Sequence, residues 1–97
     1  MRIDETDKKW LNLAAELAGK GRGRVNPNPM VGCVLVQNNE LISEGWHSEY
    51  GGPHAEVMAV QNAEVSVTGS TAYVSLEPCS MCAGALIHAR VERVVFG

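Results

Sequence analysis

Two short clusters hold most of the side chains in this sequence that can do chemistry: Pro53-His54-Ala55-Glu56 and Pro78-Cys79-Ser80-Met81-Cys82. Imidazole and thiolate hold zinc, and a catalytic zinc takes three protein ligands so that its fourth tetrahedral position stays open for water. His54, Cys79 and Cys82 supply three, which implies one Zn²⁺ per chain. Glu56, two residues past the histidine, is poorly placed to be a fourth ligand, but its carboxylate can move protons between a bound water and a substrate. Metal-assisted hydrolysis with Glu56 as the catalytic acid and base is the expected chemistry. A structural zinc module is the competing reading and needs a fourth protein ligand, for which Cys33, His47 and His88 are the spare candidates. Cys33 sits in an apolar run and reads as core, and His88 lies about 9 Å along a helix from Cys82. His47 stays open. Glu77 is expected to support the site without binding the metal.

The order H-x-E followed by P-C-x-x-C resembles the signature of the zinc nucleobase deaminases. From about Trp10 to Gly97 the chain is similar to the cytidine-deaminase-like superfamily. Its first half, Asn26-Pro-Asn-Pro-Met-Val-Gly32 with Gly45-Trp-His47 and Gly51-Gly-Pro-His-Ala-Glu-Val57, resembles the riboflavin-biosynthesis pyrimidine deaminase domain. Its second half, Leu76-Glu-Pro-Cys-Ser-Met-Cys-Ala-Gly-Ala85 with His88, Arg90 and Arg93-Val-Val-Phe-Gly97, looks like the tRNA-specific adenosine deaminases. The riboflavin enzymes usually place more residues between their two cysteines. The resemblance implies hydrolytic removal of an exocyclic amine from a heterocyclic base. The riboflavin-pathway diaminopyrimidine ribosyl phosphate is the first choice of substrate, and a tRNA adenosine or another base is the alternative. It also makes Asn28, His47 and the backbone at Ala55 the expected substrate contacts. Without it, Asn28 reads as a turn residue and His47 as an exposed strand end.

Stepping outward along the chain, Trp10, Leu13, Ala14, Leu17 and Ala18 form the stripe of an amphipathic helix, with Thr6 to cap it and Gly19 or Gly21 to end it. Lys20-Gly-Arg-Gly-Arg24 reads as a solvated basic linker, and the prolines at 27 and 29 make a stiff, non-helical connector. Met30 to Gln37 is apolar on both faces, as in a central strand covered on both sides. Asn38-Asn39 is a two-residue turn into an antiparallel strand, Glu40 to His47. Pro53 starts a helix in which Val57, Met58 and Val60 face the sheet. Thr71 to Leu76 is a third strand, followed by a helix with Met81, Ala85, Leu86 and Ala89 inward, and Val91 to Phe96 is a fourth. The elements give an α/β fold, a three-layer α/β/α sandwich with a mixed sheet, and the resemblance gives the sheet order 2-1-3-4. Residues 1–97 read as a single domain. Members of the superfamily usually continue with a fifth strand and C-terminal helices, so a homodimer covering the fourth strand, or else a fragment or engineered minimal domain, is expected.

Composition narrows the partners. With 97 residues, 45% of them hydrophobic, the chain has enough apolar content for one small core. No run approaches the ~20 apolar residues of a membrane span, and the first residues lack a signal peptide's apolar centre, so a cytoplasmic location and no membrane partner are expected. Three cysteines, two at metal spacing, argue against a disulfide framework. A net charge of −3 gives no general attraction to phosphate backbones, which favours a small-molecule substrate over tRNA.

Overall fold

Every residue from Cys33 to Val36 is buried, and the alternation sorts them to opposite sides of one sheet. Cys33 and Leu35 join a core with Ala55, Ala59 and Leu86, while Val34 and Val36 join a second core with Trp10 and Leu17. A strand with two apolar faces therefore has helices on both. The computed structural model describes residues 3–21, 30–48 and 51–97. Its elements are α1 (Glu5–Ala18), a 3-10 turn (Gly19–Gly21), β1 (Gly32–Gln37), β2 (Glu40–Trp46), α2 (Ala55–Asn62), β3 (Thr71–Val74), α3 (Ser80–His88) and β4 (Arg93–Phe96). The strand order is β2-β1-β3-β4, with β1 antiparallel to β2 and β3, and β3 parallel to β4. Helix α1 covers one face; α2 and α3 cover the other. Among the described residues no helix is long and apolar enough to cross a membrane.

The Asn38-Asn39 turn forms as expected, with both residues at positive φ (53° and 61°), the conformation that matches the twist of a two-residue hairpin. Several other expectations need correction. The cap of α1 is Asp4, whose carboxylate accepts from the Asp7 N–H while Asp7 accepts from the Asp4 N–H, so Thr6 already lies inside the helix. On α2, Ala55 and Ala59 are the residues turned fully inward; Val57, Met58 and Val60 are half-buried, with Val60 packed against the same core and the Met58 Cβ on the side that approaches Gly45. Met81 was expected inside and is 84% exposed, because Cys82 and Leu86 take the inward face of α3. The strands are also shorter than read, β4 beginning at Arg93 where pairing with Thr71 starts.

Arg93, one of the residues that carry the tRNA-type resemblance, has a partner inside the fold. Its guanidinium donates two hydrogen bonds, at 3.0 and 2.9 Å, to the buried Asp7 carboxylate, which also accepts from Tyr73 Oη at 2.6 Å. One carboxylate thus ties α1 to both β3 and β4. Arg93 first and Tyr73 second hold the Asp7 carboxyl well below the usual carboxylate range, and burial together with Asp7 pushes the Tyr73 hydroxyl up to about 12. Because the folded value of Asp7 lies below its ordinary 3.8, this stabilisation is complete above that value and is lost as pH falls toward the depressed one. Asp7→Asn is expected to lower unfolding free energy near neutral pH by about 2 kcal/mol in urea melts, since hydrogen bonds to a charged group are lost. The gap to wild type should close as the pH drops below about 4. A constant gap across that range would show that the charge of Asp7 is not what stabilises the contact.

Candidate metal and catalytic centre

Both site helices begin on a side chain able to ligate a metal. His54 is the residue capping α2 and Cys79 the residue capping α3, each extended (ψ 161° and 168°) and neither using its side chain to cap. Their carbonyls accept the first helical bonds, from Met58 and Ala83, both at 2.9 Å. Cys82 follows in the first turn of α3, buried beneath Cys79. His54 Nδ1 lies 3.2 Å from Cys82 Sγ and 4.0 Å from Cys79 Sγ, and the three ligand atoms are all within 4.8 Å of one another. Ligand atoms around a tetrahedral zinc stand roughly 3.3–3.8 Å apart, so one imidazole and two sulfurs at this spacing fit the ion in number, type and reach. Among the described residues this trio is the group that could hold a metal, and His47 is outside it.

The two sulfurs differ. Backbone and side-chain hydrogen bonding from Cys82 hold the Cys79 thiol below its ordinary value, whereas burial, then the Cys79 thiol, then Glu56, push the Cys82 thiol up to about 12. Glu56, on the first turn of α2, is 3% exposed and close enough to interact with both. It lines a cavity of about 220 Å³ together with Val31, His47, His54, Leu76, Glu77 and Cys79. The cavity therefore holds a buried carboxylate beside the metal-ligand trio, with the starts of two helices pointing at it.

His47 is 2% exposed and not a dangling strand end. Its Nδ1 stands 3.0 Å from the Pro53 carbonyl oxygen, which can only accept, so that nitrogen carries a proton. The ring meets His54 edge-on, with centroids 5.2 Å apart. Glu77 is exposed at the cavity rim, and Cys33 is fully buried in β1, where burial raises its thiol further still. Ala55 packs its side chain into the core, and its N–H is among the first of α2, which have no partner within the helix. Asn28 lies outside the described residues. His88 ends α3, exposed and apart from the trio. Val31 and Leu76 escaped the sequence reading as cavity wall, although each lies within a segment quoted there. The braces of α2 escaped it too: Ser43 Oγ donates to the Ala59 carbonyl, and Asn62 Nδ2 donates to the Glu44 carbonyl.

Residues 4–97 match the family described as the cytidine and deoxycytidylate deaminase zinc-binding region. Over 91 residues the chain is 50% identical to the riboflavin biosynthesis protein RibD of Chlamydia pneumoniae, which covers 88% of this chain and 24% of that protein. It is 40% identical over 95 residues to the diaminohydroxyphosphoribosylamino-pyrimidine deaminase of Buchnera aphidicola subsp. Schizaphis graminum, covering 92% of this chain and 65% of the other. Among solved structures, Acinetobacter baumannii RibD superposes with a TM-score of 0.92 at 45% identity, over 96% of this chain and 28% of that one. The chain thus spans about a quarter of the length of the RibD proteins it matches.

The position of α2 depends on Gly45. A Cβ there would stand 2.5 Å from the Ala59 nitrogen and 2.7 Å from the Ala55 oxygen, both backbone atoms. Gly45→Ala is therefore expected to push α2 off β2, moving His54 and Glu56, at a cost of about 1–3 kcal/mol in stability. Zinc affinity measured by chelator competition should fall at least tenfold. Unchanged affinity would show that the site does not depend on this close approach.

Proposed function

The chain belongs to the cytidine and deoxycytidylate deaminase zinc-binding family, and from that membership we propose that it is a zinc-dependent hydrolytic deaminase acting on the riboflavin-pathway diaminopyrimidine ribosyl phosphate. The observation that carries the reading is Glu56, a buried carboxylate in the wall of the cavity that His54 and Cys79 also line. The choice of substrate is supported by the 40–50% identity to proteins named for riboflavin biosynthesis and for that deamination. In this reading His54, Cys79 and Cys82 hold the metal, and Asn28, His47 and the Ala55 N–H contact the base. A zinc ion in such a donor set supplies an open coordination position and a water of lowered pKa.

The protein's own part is proton transfer and orientation. Glu56 accepts a proton from the water that attacks the amine-bearing carbon and passes it to a ring nitrogen. It then relays the second proton to the departing amine. The C–N bond breaks, ammonia leaves, and the carbon keeps the oxygen of the water. His47, buried and bonded to the Pro53 carbonyl, fixes the approach to His54 and one wall of the cavity. Val31 and Leu76 give a flat ring apolar surfaces to lie against. A cytoplasmic location goes with this reading. So does a homodimer in which a second copy pairs with β4, an edge of the sheet among the described residues. A stable monomer in sedimentation would oppose the dimer.

Ammonia release from the diaminopyrimidine phosphate by zinc-loaded protein is the direct test. Glu56→Ala is expected to keep its zinc and lose roughly 10²- to 10⁴-fold in kcat, the range for general acid–base catalysis. Turnover confined to a tRNA anticodon stem-loop would replace the substrate, and undiminished turnover by the variant would remove Glu56 from the mechanism.

A further inference from the structure

Only two residues separate Cys79 from Cys82, and the start of α3 puts the pair in unequal places. Cys79 is exposed and lines the cavity, while Cys82 is 3% exposed and sits one helical turn behind it. Their sulfurs belong to the cluster whose ligand atoms lie within 4.8 Å of one another. Such an arrangement, with one sulfur open to solvent and a second within reach behind it, suits a thiol pair that an oxidant can close. The third cysteine does not compete, because Cys33 is fully buried in β1 within the core.

We infer that Cys79 and Cys82 also form a reversible redox pair: a hydroperoxide closes them into a disulfide that cannot hold the metal, and a thiol reductant reopens the site. The inference rests on the metal-binding reading of these side chains. With hydrogen peroxide as oxidant, the exposed Cys79 sulfur attacks one peroxide oxygen. The O–O bond breaks, water leaves, and a sulfenic acid forms. Cys82 then attacks the Cys79 sulfur, and the S–S bond forms as the hydroxyl departs as a second water. Two metal-binding thiolates, one peroxide and two protons from solvent become one disulfide and two waters, with two electrons passing from sulfur to oxygen and the metal keeping its charge. Thiolate is the form of cysteine that binds metal, so the donor set falls from three ligands to the His54 imidazole alone.

The test treats zinc-loaded protein with graded hydrogen peroxide. Released metal is read with a chromogenic chelator and the product by intact mass and non-reducing peptide mapping. Expected are one zinc released per chain, the loss of two hydrogens, a Cys79–Cys82 link, and recovery of zinc binding after dithiothreitol. Cys33→Ala should respond in the same way. Met81, between the two cysteines and 84% exposed, reports that peroxide has reached the segment. Zinc retained while Met81 is oxidised overturns the inference, as do oxygen adducts on Cys79 that dithiothreitol does not remove. Protein that takes up no zinc at the outset contradicts the metal reading instead, and the linked peptide is still looked for in it, so the two failures are told apart.

Discussion

Everything in this fold serves one constraint: the first residues of two helices, far apart in sequence, must end beside each other. An N-cap position is ordinarily given to Ser, Thr, Asp or Asn, whose side chain folds back onto the helix for about 1 kcal/mol. Helix α1 follows that rule, with Asp4 and Asp7 in a reciprocal capping box. Helices α2 and α3 do not. His54 and Cys79 hold the cap positions with no side-chain cap bond, and their polar atoms point toward a shared centre instead. Helix α1, away from the site, is optimised locally, and α2 and α3 are capped less well, which leaves their cap side chains free to reach a metal.

Such an arrangement has to be held by something other than the helices. Small residues do much of this. Ala55 and Ala59 on α2 and Gly45 on β2 bring two backbones close enough that even a methyl group would not fit. Polar contacts then fix the remaining freedom: Ser43 to the Ala59 carbonyl, Ser75 Oγ accepting from the Gly32 N–H, and His47 to the Pro53 carbonyl just before His54. On the opposite face the Asp7, Tyr73 and Arg93 cluster does the equivalent work for α1. The sheet is thus clamped on both sides, and the cavity forms where the clamps leave room.

How much of this was legible in the sequence depended on whether a feature was local or assembled. His54, Glu56, Cys79 and Cys82 were readable because ligand chemistry needs particular side chains at particular spacings, and the spacings lie within one helical turn. The sheet order came from the resemblance, and the two-faced burial of β1 from its unbroken apolar run. The cap of α1 was misplaced because Asp4 competes with Thr6 for the same role, and the reciprocal bond from Asp7 decides between them. Met81 was misread because on so short a helix an apolar residue next to a buried one looks inward on a helical wheel. The contact of Arg93 was not legible because its partner, Asp7, is 86 residues away. Val31 and Leu76 become a cavity wall only when β1 and β3 are paired, which no local pattern encodes.

His54 and Cys82 are 28 residues apart, and the segment between them contains α2 and β3. An ion bound to both is a cross-link that closes this loop, and it binds the folded chain in preference to the unfolded one. By mass action, each tenfold rise in free ion above the dissociation constant adds about 1.4 kcal/mol to the apparent stability. The ion would act through the elements on one face of the sheet, α2 and α3, and the Asp7 contact through α1 on the other, so the stability of one fold answers to two variables, metal supply and pH.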